Sequence, residues 1–502
     1  MSSTPALLAI DQGTTGSTAL VAQDGRILVR SYSEFTQHFP RPGWVEHDAE
    51  EIWEVTRSVA RRALEQVGPE VRVEGVGIAN QRETIVVWER ETLIPVGRAI
   101  VWQDRRTAEL CRELRKGGHE EEVRKRSGLL LDPYFSGTKL MWLFREDPEL
   151  FRRAEGGELA VGTVDSWLVA RLTGGQVHAT DHTNASRTLL YGLENQGWDE
   201  DLSDLFGIPR AVLPQIRRSS GDFGTANGET LGQEIPIAGV AGDQQAALFG
   251  QGCWSPGLAK NTYGTGAFLL LHTGSKAVSS GAGLLTTMAC DEGGAPSFAL
   301  EGSVFIAGAA LQWLRDGLGI LGAARESEQM AGSLESNDGV YFVPAFVGLG
   351  APHWDPEARG TMVGLTRGTT RAHLARAALE AMAYGTVDVL RAMELDSGIE
   401  TRELRVDGGA SENDWLMEFQ AGVLGIPVRR PGLVDTTALG AAGLAGLHLG
   451  VWGSGKEFLG ALGEPSLFAP GMGSEEAGRN LSGWRRALAA TRAWSGWDPG
   501  LG

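Results

Sequence analysis

Several short stretches of this sequence gather residue types that do chemistry. In Asp11-Gln12-Gly13-Thr14-Thr15-Gly16 a carboxylate stands beside a tight turn, two hydroxyls and consecutive backbone N–H groups. That combination suits a phosphate-cradling hairpin with a metal-linked aspartate nearby, although the same letters also make an ordinary hairpin turn. Arg82-Glu83 closes the apolar run 73–79 through Asn80-Gln81, and the carboxyl end of a buried strand is where α/β proteins place ligand chemistry. Adjacent opposite charges are also a common surface ion pair. Asp243 ends the apolar run 236–242 and reads as a helix N-cap, because Gln244-Gln245-Ala246-Ala247-Leu248 reads as helix. Gly264-Thr265-Gly266 and Asp407-Gly408-Gly409 are, taken singly, strand-end turns, and Trp102 and Tyr134 are, taken singly, core aromatics. Residues 450–456 match the G-x-x-x-x-G-K phosphate loop but fail it: Glu457 stands where a magnesium-binding hydroxyl is required, and a small-residue helix precedes it where a strand should.

The elements that must position these residues alternate strand and helix. Short apolar runs at 6–10 and 17–22, joined through the glycine-bearing turn, fit two antiparallel strands better than a strand feeding a helix. A third strand is expected at 26–31. Residues 48–65 carry Ile52, Val55, Val59 and Ala63 at helical spacing, with Glu50 and Glu51 in the first turn, where the helix dipole favours anions. A second strand-and-glycine pattern begins at 258, so each half opens on a hairpin around a Gly-Thr turn, and the domain boundary is placed near 250. Further strands are expected at 339–344 and 403–406, with a helix from about 413, whereas the glycine-rich tail beyond Gly450 shows no clear pattern.

The chain has 502 residues, more than one hydrophobic core organises, and 42% hydrophobic with 22% charged residues is ordinary for a globular protein. A net charge of -18 argues against nucleic acid or an anionic membrane as partner, yet leaves room for a phosphorylated ligand held by backbone amides and a cation. Cys111, Cys253 and Cys290 are widely spaced and odd in number, reading as reduced thiols with no disulfide frame or zinc site. The start, MSSTPALLAIDQG, lacks a basic region and a long apolar run, so no signal peptide or stable membrane insertion is expected and the protein is expected in the cytoplasm. The Asn-x-Ser/Thr triplets at Asn184 and Asn480 are then chance matches.

Taken together and in order, DQGTTGSTAL, NQRET, IVWQDRRTAE, DPYFSGTKL, DHTNASRTLL, AGDQQAALFGQ, KNTYGTGAF and VDGGASENDWLMEFQA resemble the glycerol kinases of the FGGY carbohydrate kinase family, from about residue 6 to about 450. The resemblance implies an α/β protein of two ribonuclease-H-like domains, 1–250 and 251–502, with substrates in the cleft between them. It implies nucleotide contacts at Thr14, Thr15, Gly16, Thr18, Thr265, Gly308, Gln312, Gly409 and Asn413. It implies glycerol contacts at Arg82, Glu83, Trp102, Tyr134, Asp243, Gln244 and Phe268, with Asp243 as general base and Mg2+ linked to Asp11 and Asp243. Such residues suit a triol, since Arg82, Glu83, Gln244 and Tyr134 bond hydroxyls while Trp102 and Phe268 cover the C–H edge.

The activity implied is ATP-dependent phosphorylation of glycerol to sn-glycerol 3-phosphate by a homo-oligomer, dimer or tetramer. A kinase for another polyol or sugar is the nearest alternative, and an actin- or Hsp70-like ATPase used as a binding module is the alternative of another class. Two positions depart from the family: Thr18 replaces a common Arg, removing a cationic phosphate contact, and Gly16 replaces a common Ser. The loop at 221–234, which in some relatives takes fructose 1,6-bisphosphate or carries a phosphorylated His, reads GDFGTANGETLGQE, without Arg, Lys or His.

Overall fold

The computed structural model describes residues 5–433 and 435–496. Residues 1–4 of the start expected to hold no signal peptide lie outside them. The N-terminal half opens with β1 (Ala6–Gln12), β2 (Gly16–Gln23) and β3 (Arg26–Glu34), an antiparallel meander. The helix α1 (Ala49–Val67) follows, and Asp48 accepts from the Glu50 and Glu51 amides as its N-cap. Next comes β4 (Val73–Asn80), parallel to β1, and after an excursion β5 (Ile235–Gly242), parallel to β4. With the short edge strand Thr225–Ala226 these form one six-stranded sheet. Its last strand runs directly into α2 (Asp243–Gly250).

The second half repeats the plan. β6 (Leu258–Tyr263) and β7 (Ala267–Gly274) form a hairpin, β8 (Leu285–Cys290) and β9 (Pro296–Val304) extend it antiparallel, and after α3 (Arg371–Ser397) the strand β10 (Glu403–Asp407) returns parallel to β6. Then α4 (Asp414–Leu424) leads to β11 (Val428–Arg430), parallel to β10. In both sheets a meander's first strand lies parallel to a later strand that ends in chemistry-bearing residues. This is the ribonuclease-H-like arrangement, present twice.

One helix departs from that tidy division. α5 (Thr436–His448) lies far along the C-terminal half yet packs on the N-terminal sheet, where Ala438, Leu439 and Ala442 meet Leu7, Ala9, Leu20 and Ala22. The approach is backbone to backbone. A Cβ on Gly77 would lie 2.1 Å from the Ala441 carbonyl oxygen, and one on Gly440 would lie 1.9 Å from that of Ala246. Small residues are therefore required at these contacts, and seven of the 13 residues of α5 are Gly or Ala.

The tail also has structure that the sequence reading did not find: β12 (Ser466–Phe468) and the 22-residue α6 (Ser474–Ser495). α6 buries Leu481, Trp484, Ala487, Leu488 and Thr491, and its Trp484 stacks on Tyr384 of α3 at 5.3 Å. Residues 450–454 form a turn after α5, and Gly455 and Lys456 open a short helix, Gly455–Ala461, capped by Ser454, so a helix and not a strand precedes this stretch. The expected strand at 339–344 is present as Tyr341–Val343. The three cysteines are buried and free, and among the described residues no helix is long and apolar enough to cross a membrane.

Candidate active site

At the end of β4 the chain makes a strained turn. Glu83 has φ +61, in the left-handed region that costs a bulky residue energy. Two bonds hold the turn: Ser136 Oγ donates to the Glu83 carbonyl at 2.9 Å, and the Thr84 amide donates to the Arg82 carbonyl at 2.7 Å. Both side chains turn inward, and each is only 2% exposed, so Arg82-Glu83 is not the surface pair its letters permit. Arg82 Nη1 donates to Glu301 Oε2 at 2.6 Å and Nη2 to Glu301 Oε1 at 3.1 Å, while Arg82 Nε lies 3.3 Å from Asp243 Oδ1. Arg187, fully buried, donates through Nε to Glu83 Oε1 at 2.5 Å and through Nη2 to Glu301 Oε1 at 3.0 Å.

The two acids of this cluster differ. Burial raises Glu301, but Arg187 and Arg82 outweigh it and hold the carboxyl at about 2. Burial also raises Glu83, and the same arginines offset it only in part, so this carboxyl stays above its ordinary value. The geometry gives the reason, since Glu301 grips Arg82 with two oxygens and Glu83 stands 3.9 Å from it. Burial likewise works against the Arg82 charge, and Glu301 followed by Glu83 more than restores it.

Asp243 is the first residue of α2 rather than its N-cap, which is Gly242. Its Oδ1 accepts from the Gln244 amide at 2.7 Å, and the side chain is 31% exposed. Gln244 is held by Lys260 of β6, whose Nζ donates to Gln244 Oε1 at 2.5 Å and to Thr262 Oγ1 at 2.6 Å. Burial lowers that ammonium, with Asp407 and Asp243 pulling the other way. Asp11, the penultimate residue of β1, lies nearby, where burial and then the Asp243 and Asp435 carboxylates push its carboxyl up to about 7.

The aromatic candidates meet here too. Trp102 Nε1 donates to Thr14 Oγ1 at 2.9 Å, tying the turn between β1 and β2 to this site, and the Trp102 ring meets Tyr134 edge to face at 5.5 Å. Lys139 pins the Tyr134 loop by donating to the carbonyls of Pro133, Tyr134 and Phe135 at 2.7, 2.6 and 3.2 Å. Phe268 lies on β7 opposite Thr262.

The nucleotide candidates fall into two groups. Gly13 donates to the Gly16 carbonyl at 2.9 Å, and Gly264 donates to that of Gly266 at 2.8 Å, so Thr14-Thr15 and Thr265 sit at the tips of equivalent hairpins. Gly308 donates to the Gly264 carbonyl at 3.0 Å and opens the helix Gly308–Gln312, which carries Gln312 on an exposed turn. A Cβ on Gly408 would lie 2.3 Å from the Tyr263 carbonyl oxygen, so the 408–413 turn is pressed against the same hairpin. Gly409 there is exposed, and Asn413 caps α4 through the Leu416 amide at 2.8 Å. At Gly16 the structure explains the missing side chain: a Cβ would lie 2.6 Å from the Ser33 carbonyl oxygen and 2.7 Å from the Tyr32 hydroxyl. Thr18, nearly buried, pairs across the sheet with Tyr32.

Four residues of this site were absent from the sequence reading: Arg187, Glu301, Lys260 and Lys139. Their signal was a charge set within apolar surroundings, as in Phe298-Ala299-Leu300-Glu301, which buries only when paired.

Residues 6–250 match the N-terminal domain of the FGGY family of carbohydrate kinases, and residues 259–449 match its C-terminal domain. The chain is 53% identical to the glycerol kinase of Rhodopirellula baltica, over 98% of this chain and 92% of that one. It is 54% identical to that of Deinococcus radiodurans, over 97% and 98%. Among solved structures, the Plasmodium falciparum glycerol kinase with ADP superposes with a TM-score of 0.93 at 34% identity, covering 97% of this chain and 98% of that one. A xylulose kinase of Lactobacillus acidophilus, at 18% identity and a TM-score of 0.88 over 99% and 100%, shares the fold. A chain with these matches, carrying acids and arginines at two strand ends beside paired glycine hairpins, belongs to the FGGY family of carbohydrate kinases.

Proposed function

We propose that this chain transfers the γ-phosphoryl group of ATP to a terminal hydroxyl of glycerol, giving ADP and sn-glycerol 3-phosphate. The observation that carries the reading is the arrangement of Arg82, Glu83 and Asp243. Three Arg82 hydrogens go to Glu301 and Gln245, leaving Nε–H and one Nη2 hydrogen directed elsewhere. Glu83 Oε1 is taken by Arg187, and among the described residues Oε2 accepts nothing. One donor edge and one acceptor oxygen thus stand beside a partly exposed carboxylate, a set that binds vicinal hydroxyls and removes a proton from one of them. Asp243 Oδ1 is engaged by the Gln244 amide, so Oδ2 is the atom that accepts the proton. The hydroxyl oxygen then bonds to the γ-phosphorus as the bond to the β,γ-bridging oxygen breaks, with the two oxygens in line.

The residues present suit Mg2+. Burial, and after it the Asp243 carboxylate, raise Asp11, and a bound cation would relieve that cost and be held by these two carboxylates. Among the described residues no cluster of three or more His, Cys, Asp or Glu forms a closed cage, and magnesium prefers one or two carboxylates with water and phosphates. When bound it offsets charge on the β- and γ-phosphates.

Thr14, Thr15, Gly16, Thr18, Thr265, Gly308, Gln312, Gly409 and Asn413 are proposed as nucleotide contacts, and Trp102, Tyr134, Gln244 and Phe268 as further polyol contacts. A domain boundary near 250, a cytoplasmic location and assembly into a dimer or tetramer are proposed as well, the last checked by sedimentation at several concentrations. A coupled assay of ADP release over a panel of polyols and pentuloses tests the function. Glycerol is expected to be the best acceptor, and strong preference for another acceptor, or ATP hydrolysis indifferent to any, would overturn it.

A further inference from the structure

Arg82 and Glu83 belong to the N-terminal half, but part of what holds them comes from the other. Glu301 lies inside β9 of the C-terminal sheet, opposite Leu270 and Leu285, where an apolar residue would be ordinary. It occupies both Nη atoms of Arg82 and one of Arg187, and Arg187 in turn holds Glu83. All four side chains are between 0% and 4% exposed. Replacing a buried ion network with well-packed apolar residues of similar volume is often neutral, whereas removing one partner leaves an uncompensated buried charge that its neighbours must rearrange to meet. Lys260, also from the C-terminal sheet, grips Gln244 in the same manner.

In this arrangement Arg82 keeps its Nε–H toward Asp243 and Glu83 keeps a single uncommitted oxygen. Loss of the Glu301 carboxylate frees the Arg82 guanidinium to turn onto Asp243 or Glu83, its nearest remaining anions. Either move consumes a group that the acceptor hydroxyls need.

We propose that Glu301 and Arg187 are positioning residues: Glu301 reaches from the C-terminal half to set Arg82, and through Arg187 to set Glu83. The acceptor site is therefore complete only when the two halves stand as they do here. This rests on the polyol-kinase reading. Neither residue is needed to touch substrate, and their effect is on acceptor use rather than on the nucleotide.

The test is steady-state kinetics with glycerol and ATP varied separately, on the wild type, on Glu301→Gln, and on Glu301→Gln combined with Arg187→Met. The combined variant removes one charge of each sign and leaves Arg82 facing Glu83. The expected result is a glycerol KM raised roughly tenfold or more in each folded variant, with the ATP KM changed by less than about threefold. A purely structural role would lower the active fraction, and so the apparent kcat, with both KM values kept; that result overturns the proposal. So does failure of both variants to fold, which would make the network a folding requirement. If the wild type itself releases no ADP in response to any polyol, the kinase reading falls first, and that arm separates the two failures.

Discussion

Glu83 and Glu301 contact the same two arginines, yet one carboxyl is pushed up and the other pulled down to about 2. The difference follows from how many guanidinium hydrogens each receives, and it sorts their roles: Glu301 is a fixed anion, while Glu83 is an acceptor with an oxygen to spare. Asp243 differs from both because it is partly exposed and has one oxygen free for a proton. Asp243→Asn is expected to lower kcat by roughly 10² to 10⁴ while the fold, followed by circular dichroism, stays intact. Near-normal turnover in a folded Asp243→Asn enzyme would remove it from the reaction. Arg82→Ala removes the donor proposed for the acceptor hydroxyls, so glycerol use should weaken by about 1 to 3 kcal/mol with ATP binding nearly unchanged. Calorimetric titration showing the reverse pattern would refute the assignment.

Among the elements, those that end in chemistry were legible in the sequence because polar residues interrupt apolar runs abruptly there: β1 into Asp11, β4 into Arg82 and β10 into Asp407. The hairpin at Gly264-Thr265-Gly266 was legible as an echo of the first. What escaped was α6, although Leu481, Trp484, Leu488 and Thr491 recur at helical spacing. Glycines on either side of it and exposed Trp494 masked the stripe. Also illegible were Arg187 and Glu301, since nothing local tells a paired buried charge from an exposed one. β7 carries a further consequence in His272, where burial pushes the imidazole down to about 4 from an ordinary 6.5. The unfolded chain takes a proton below about 6.5 that the folded chain refuses until about 4. Stability present above 6.5 is therefore lost as pH falls through that window, by an amount on the order of 3 kcal/mol at most. Melting curves between pH 7 and 4.5 should show the wild type losing more than His272→Gln, and parallel losses would show that His272 does not titrate this way.

On the scale of the whole molecule, the enzyme offers little to an anionic regulator in the 221–234 loop. The loop holds Asp222, Glu229 and Glu234; of the two arginines just before it, Arg217 donates to the Asp222 carbonyl and to Gln215 Oε1 at 2.9 Å, while exposed Arg218 makes no hydrogen bond or ion pair among the described residues. A bisphosphate needs several uncommitted cations, and a single arginine beside three acids does not supply them, so millimolar fructose 1,6-bisphosphate is expected to leave the rate unchanged at every protein concentration, and saturable inhibition would contradict this. The placement of α5 has a consequence of another kind, in the order of synthesis. The sheet face of Leu7, Ala9, Leu20 and Ala22 is made first, but its cover, Ala438, Leu439 and Ala442, comes almost two hundred residues after the N-terminal half is complete. At roughly 5 to 20 residues per second this leaves an apolar face open for about 10 to 40 seconds on the ribosome. A chain released at residue 250 never receives the cover. Expressed alone, residues 1–250 should aggregate or bind a hydrophobic dye, whereas the same segment carrying residues 436–461 through a flexible linker should stay dispersed. Equal solubility of the two would mean that the face closes by other means while the chain is still growing.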